Sequence, residues 1–357
     1  MKLAVFSAKP YDKVYLTQAR AAASVNPDAS IEIAYHDFAL NTETVPLAAD
    51  AGAICVFVND VLSEDVLTSL HSLGVRAILL RCAGYNNVDL ETASRLGLFV
   101  ANVPSYSPEA VAEFAVALVQ TLNRNTHRAY NRVREANFSL DGLLGRTLHG
   151  RTVGIIGTGK IGVAFARIMR GFGCELLAYD PFRNDEFNKY GEYTTLEDLL
   201  SRADIVSLHC PLVDSTRHII NKTTLGQMKK DAMLVNTSRG GLVDTTAVIA
   251  ALKKKHLGGL ALDVYEHESA LFYNDHSGTI IDDDDLMRLT TFHNVLISGH
   301  QAFFTQEALR EIADVTLRNL ADFVDGRECK NSLVQPSQEQ GAAPIKRARS
   351  DTIPIRI

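Results

Sequence analysis

Three short stretches place chemically capable side chains just beyond apolar runs. "LVNTSRGG" carries Arg239, "LALDVYEHE" carries Asp263 and then Glu268, and "VLISGH" ends on His300. An arginine clamps a carboxylate with two parallel hydrogen bonds and polarises a carbonyl oxygen. A histidine donates a proton near neutral pH, and a neighbouring carboxylate orients it and favours its charged form. Together these groups suit hydride transfer to a 2-keto acid, with a nicotinamide supplying the hydride. Each alone has a plain reading, as a surface arginine, a solvated acid or a satisfied histidine. All three at strand ends are hard to explain as decoration, because ligands of open α/β sheets sit beyond the carboxyl ends of the strands.

A second stretch, "TVGIIGTGKIGVAFARI", supplies the missing cofactor site. Gly157, Gly159 and Gly162 form G-x-G-x-x-G between an apolar strand and a helical run, the context that gives this spacing a mechanism. Gly157 is expected to make the tight turn, Gly159 to admit a pyrophosphate, and Gly162 to let helix and strand pack closely. The helix N-terminus offers free N–H groups to the anion. The next strand ends at Asp180, 21 positions after Gly159. An acid there binds ribose hydroxyls and repels a 2′-phosphate, so NAD is favoured over NADP.

These groups need a scaffold of alternating strands and helices. "KLAVFS", "AICVFVN" and "RAILLRC" read as buried strands, separated by helical text such as "SEDVLTSLHSLG" with its closing Gly74. After Arg151 six further strand-like runs follow, the last being "NVLISGH", where Gly299 is expected to allow the sharp exit. The fold class is therefore α/β, with two doubly wound parallel sheets. Between the two series, Ser107 to Glu135 reads as one long helix with Ser107 as N-cap and Pro108 at its first position, long enough to bridge two domains. Another long helix follows His300. "DDDD" at 282–285 reads as an exposed loop without the glycine and spacing of a calcium site, and no metal is expected.

Composition bounds the partners. The chain has 357 residues, enough for about two domains. Its net charge is -6 with no basic stripe, which argues against nucleic acid. No apolar run approaches the ~18 residues of a membrane span, and the N-terminal segment reads as a first strand rather than a signal peptide. Five cysteines, none in a C-x-x-C pair, suit reduced buried thiols in a cytoplasmic protein.

At this point the chain resembles the D-specific 2-hydroxyacid dehydrogenases, and within them the NAD-dependent fermentative D-lactate branch. The likeness runs over about 1–335 and is carried by "RCAGYNNVDL", "VPSYSPEAVAEFA", "GIIGTGKIGVAFARI", "LHCPL", "VNTSRGGLVD", "LDVYEHE" and "GHQAFF". The resemblance implies that Arg239 binds and polarises substrate, that Glu268 partners the histidine, and that His300 is the acid/base. It implies cofactor contacts at Lys160, Ile161, Cys210, Pro211, Thr237, Ser238 and Asp263. It places the substrate carboxylate on the N–H groups of Ala83 and Gly84, with Tyr106 and Phe303 bounding the side-chain pocket.

The resemblance also implies a substrate domain of the flavodoxin-like type, 1–102 and 301–335, with a Rossmann cofactor domain, 103–300, inserted between its halves. A homodimer or higher homo-oligomer is expected, with the first long helical segment in its interface. The tail, 336–357, is polar and non-periodic, reads as flexible, and is not explained by the likeness. Two rival functions stay open: reduction of another 2-keto acid, such as glyoxylate, hydroxypyruvate or phenylpyruvate, and an NAD-sensing corepressor role.

Overall fold

The structure is a computed structural model and describes residues 1–23 and 31–334; the tail at 336–357 lies outside the described residues. The chain divides into two compact units, one built from Met1–Pro104 and the chain from Ile312 onward, the other from Ser105–Glu311.

The first unit contains strands β1 (Lys2–Val5), β2 (Glu32–Tyr35), β3 (Ala53–Val56), β4 (Ala77–Leu80) and β5 (Phe99–Ala101). The second contains β6 (Thr152–Ile156), β7 (Glu175–Tyr179), β8 (Glu192–Tyr193), β9 (Ile205–Leu208), β10 (Met233–Asn236), β11 (Gly259–Leu262) and β12 (Val295–Ile297). A last strand, β13 (Ser332–Val334), returns to the first sheet and pairs antiparallel with β5. The orders are β2-β1-β3-β4-β5-β13 and β8-β7-β6-β9-β10-β11-β12. All other pairings are parallel. In both sheets the strand order reverses beside the first strand of the unit. In the second sheet that reversal, between β6 and β9, is where nucleotides bind in open α/β sheets.

The near-continuous apolar strands follow from burial on both faces. Successive side chains point to opposite faces, and in the second unit they enter two separate cores. Leu208, Leu234 and Leu262 pack on one face, with the helix Thr245–Lys253 contributing Val248 and Leu252. Ile205, Val235 and Ala261 pack on the other, with Ala115 and Val119 from the helix Pro108–Arg124. The apolar text of the central strands, such as IVSL, MLVN and GLAL, is therefore what a sheet covered on both sides requires.

Three expectations change. The Ser107–Glu135 run is two helices, Pro108–Arg124 and Thr126–Arg134, because Asn125 adopts a left-handed conformation at φ 53°. Asparagine tolerates that conformation better than other non-glycine residues. The N-cap reading of Ser107 agrees with its hydroxyl accepting from Ala110 N–H at 3.2 Å. The short edge strand β8 makes a seventh strand where six were expected. "DDDD" starts a helix instead of forming a loop: Asp283 caps Asp284–Thr290 by accepting from Leu286 N–H at 2.8 Å.

Candidate active site

The site is assembled from strand ends that the sheet holds side by side. Asn236, Leu262 and Ile297 are register partners across β10, β11 and β12. Arg239 and His300 each lie three residues past their strand, and Glu268 lies six past its own. The exits are stitched by backbone bonds: Asp263 N–H to Asn236 O at 2.9 Å, Ser298 N–H to Leu262 O at 2.9 Å, and His300 N–H to Asp263 O at 2.7 Å.

His300 and Glu268 meet directly. Nδ1 of His300 lies 2.7 Å from Oε1 of Glu268. The other oxygen, Oε2, accepts from Tyr265 N–H at 2.7 Å, so the carboxylate is fixed at both ends. A carboxylate only accepts, so Nδ1 carries the proton and Nε2 is the ring nitrogen left to exchange one with a substrate. Tyr273 lies over the imidazole at a centroid distance of 5.7 Å, and its hydroxyl donates to His300 O at 3.3 Å. The sharp exit from β12 is made by His300 itself, at φ 54°, while Gly299 is outside the positive-φ region; this corrects the role expected of Gly299. A histidine in the left-handed region costs on the order of 1 kcal/mol. Asp263 holds it there, with Oδ1 accepting from Ser298 Oγ at 2.6 Å and Gln301 N–H at 2.9 Å, and Oδ2 from Ala302 N–H at 2.9 Å.

Arg239 is half-buried in the turn after β10. Its Nη1 donates to Ser238 O at 2.7 Å. Asn236, fully buried, shapes that turn: its Nδ2 donates to Arg239 O at 2.8 Å and its Oδ1 accepts from Ser238 N–H at 3.0 Å. Ser238 Oγ donates to Cys210 O at 2.7 Å, tying the turn to the exit of β9. Sequence reading passed over Asn236, although an asparagine three residues before the arginine is the residue type that makes such local bonds.

The glycine loop has the geometry a dinucleotide needs. Gly157 has φ 98°, and a Cβ there would lie 2.5 Å from Cys210 N. A Cβ on Gly162 would lie 2.0 Å from Gly157 O, whereas one on Gly159 would meet nothing within 4 Å. The loop is thus closed on the protein side and open at Gly159, where the helix Lys160–Gly171 begins with Lys160 and Ile161. Asp180, just past β7, accepts from Thr158 N–H at 2.7 Å and from Phe182 N–H at 2.8 Å. Arg183 does not pair with it, its guanidinium stacking instead on Tyr193 at 5.4 Å. Thr237 Oγ1 is buried without a hydrogen-bond partner among the described residues, a polar atom that a bound nicotinamide nucleotide could satisfy. The open face at Gly159, the helix N-terminus and this hydroxyl fit NAD.

Cys210 lines the loop as a buried thiol whose pKa burial pushes up to about 11, unsuited to nucleophilic chemistry, and Pro211 next to it is exposed. All five cysteines are buried, and none is in a disulfide. The adjacent His209 contrasts with His300. Its ring is half-buried with Nδ1 shielded from solvent, packs on Phe165 at 4.9 Å, and sits with Nε2 2.9 Å from Ser207 Oγ. Burial lowers its pKa to about 3. The unfolded chain therefore takes up this proton first, and stability is lost as pH falls from about 6.5 toward 3, by on the order of 5 kcal/mol. Chemical denaturation at several pH values is expected to show a shallower acid limb in His209→Asn than in the parent chain.

Tyr106 and Phe303 meet edge to face at 6.3 Å. In the first unit, Ala83 and Gly84 follow β4. Their carbonyls are tied down by Asn102 Nδ2 at 2.8 Å and Cys82 Sγ at 3.2 Å, while their N–H groups make no hydrogen bond among the described residues. Arg81, 2% exposed, anchors that loop through Nε and Nη2 to Asp12 at 3.1 and 3.3 Å and through Nη2 to Ser7 O at 2.7 Å.

Among the described residues no cluster of histidine, cysteine and carboxylate side chains is placed to hold a metal, and no helix is long and apolar enough to cross a membrane. Residues 116–302 match the NAD binding domain of the D-isomer specific 2-hydroxyacid dehydrogenases. The chain is 68% identical to 2-hydroxyacid dehydrogenase A of Aspergillus oryzae, over 94% of this chain and 96% of that one. It is 66% identical to a D-lactate dehydrogenase of Curvularia clavata, over 96% and 97%. The apo-structure of D-lactate dehydrogenase from Escherichia coli superposes with a TM-score of 0.85 at 49% identity, covering 94% of this chain and all of that one. A dinucleotide loop, a histidine–glutamate pair and an arginine turn on adjacent strand ends, in a chain this similar over nearly its whole length, place the protein in the family of D-isomer specific 2-hydroxyacid dehydrogenases.

Proposed function

We propose that the protein is an NAD-dependent D-lactate dehydrogenase, interconverting pyruvate and D-lactate. The observation that carries the reading is the His300–Glu268 pair at 2.7 Å, set beside the Arg239 turn on neighbouring strands. The D-lactate activity named for the Curvularia and Escherichia proteins supports the choice of substrate.

Bound NADH supplies the hydride. Arg239 binds the substrate carboxylate and draws electron density toward the keto oxygen. His300 Nε2 gives its proton to that oxygen as the alkoxide forms, and takes it back in the reverse direction. Glu268 stabilises the charged ring and sets its orientation. Ala83 and Gly84 are proposed to contribute N–H groups to the carboxylate, and Tyr106 and Phe303 to bound the methyl side. Gly157, Gly159, Lys160, Ile161 and Gly162 are proposed to hold the pyrophosphate, Asp180 the ribose, and Cys210, Pro211, Thr237, Ser238 and Asp263 to line the nucleotide.

The decisive experiment is NADH oxidation with pyruvate, glyoxylate, hydroxypyruvate and phenylpyruvate, with D- and L-lactate in reverse. Pyruvate is expected to give the highest kcat/KM, and only D-lactate to be oxidised; a higher value for phenylpyruvate would overturn the lactate assignment. Asp180 predicts a cofactor preference as well. A 2′-phosphate beside that carboxylate costs several kcal/mol, so kcat/KM with NADH is expected to exceed that with NADPH by about 100-fold or more.

A cytoplasmic homodimer is also proposed. Tyr130, Phe138, Leu140 and Leu144 are each more than 60% exposed within one short segment, an apolar surface of the kind that marks an interface. Leu140→Asp with Leu144→Asp is expected to shift light-scattering mass toward the monomer. An unchanged dimer mass would place the interface elsewhere.

A further inference from the structure

The geometry points to a second histidine–carboxylate pair, His218–Glu266, as a clip that positions Arg239 and Glu268 relative to each other. It deepens, and rests on, the reading of Arg239, Glu268 and His300 as the active site.

His218 belongs to neither a strand end nor the glycine loop, and nothing in the reaction uses it. Its Nε2 lies 2.5 Å from Glu266 Oε1, and Thr245 Oγ1 donates to Glu266 Oε2 at 3.2 Å. Its backbone N–H donates to Gly241 O at 2.9 Å, in the turn that carries Arg239. One residue thus grips both loops, the arginine turn by its backbone and the "YEHE" loop by its ring. His218 pays no attention to local preference in doing so, since it stands at φ 50°, a strained conformation for a histidine that persists only where the surroundings impose it.

The loops it joins are in contact. A Cβ on Gly240 would lie 2.1 Å from the carbonyl carbon of Tyr265 and 2.4 Å from Glu266 N. The arginine turn therefore rests on the Tyr265–Glu266 peptide, and Tyr265 N–H is the group that holds Glu268. Both catalytic groups take their position from the backbone of Tyr265, the arginine turn from its carbonyl side and Glu268 from its N–H. Burial pushes the Glu266 carboxyl up, but the His218 hydrogen bond and charge, with the Thr245 bonds, outweigh it and leave the group below its ordinary range. An ionised Glu266 is a strong acceptor for His218. Releasing it frees the Tyr265 backbone on which two reacting groups depend, and small misplacements of such groups cost up to about 100-fold in rate.

The test uses the full chain and pyruvate reduction. His218→Ala and Glu266→Ala are each expected to lower kcat about 10- to 100-fold, with NADH affinity, read by fluorescence titration, unchanged. Glu266→Gln keeps an acceptor for His218 and is expected to recover most of the loss. The double variant is expected to be no slower than either single one, because the two residues act as one unit. A residue that only supports the fold would lower Tm and leave kcat alone. Folded His218→Ala with wild-type kcat, or Glu266→Gln as slow as Glu266→Ala, would overturn the clip. Should His218→Ala not fold, the two Glu266 variants decide by the same criterion. His300→Gln serves as the reference: if it too retained its rate, the active-site reading itself would fall, whereas a silent His218→Ala beside an inactive His300→Gln removes the clip alone.

Discussion

His300→Gln is expected to lower kcat for pyruvate reduction by about 1,000-fold while NADH binds as before. Glutamine keeps the polar character of the position and can still donate to Glu268, but it has no proton to give to the alkoxide. General acid catalysis by a positioned side chain contributes roughly 100- to 10,000-fold, and loss of the proton donor falls within that range. The ring lies among groups that survive the change: Glu268 stays held by Tyr265 N–H, and the loop stays held by Asp263 through Gln301 and Ala302. Fluorescence titration with NADH checks the second half of the expectation, and steady-state rates check the first. Normal turnover would mean that another group donates the proton, and His209 is no substitute, its pKa being lowered by burial to about 3.

Arg239→Gln is expected to be at least as damaging, through a different route. The guanidinium is asked both to bind a carboxylate and to polarise the keto oxygen, so substrate binding and the chemical step fall together. A site built to hydrogen-bond a polar substrate loses about 10,000-fold in kcat/KM when that partner is gone. The expected signature is a raised KM for pyruvate with a lowered kcat. Arg239→Lys is expected to lie between, since it retains the charge and loses the planar fork. A variant that altered only NADH affinity would place Arg239 at the nucleotide instead.

Much of this site is legible from residue order because its parts are local. A glycine loop needs a strand before it and a helix after it, and both lie in the same 20 residues. Strand ends are visible where apolar text stops, and the sheet rule then puts their side chains on the ligand side. The break at Asn125 was not legible, since nothing near it differs from ordinary helical text and asparagine only permits the turn. Residue order points to Gly299 rather than His300 for a related reason: glycine is the usual residue at positive φ, and it takes distant partners, Asp263 from 37 positions earlier and Glu268 from 32, to hold a histidine there.

By itself the sequence determined the α/β class, the dinucleotide loop with its acid, and the three residue types that suit reduction of a keto acid. Periodicity, glycine spacing and strand termini are properties of neighbouring residues, so they survive in the linear text. Tertiary structure decided which partner each group takes. "YEHE" offers two glutamates two positions apart, and nothing in that spacing says which one meets a histidine. In the folded chain both do: Glu268 takes His300 from 32 positions away and Glu266 takes His218 from 48. Such pairings depend on how three parallel strands lie side by side and how their exits turn, which is a matter of packing between distant segments.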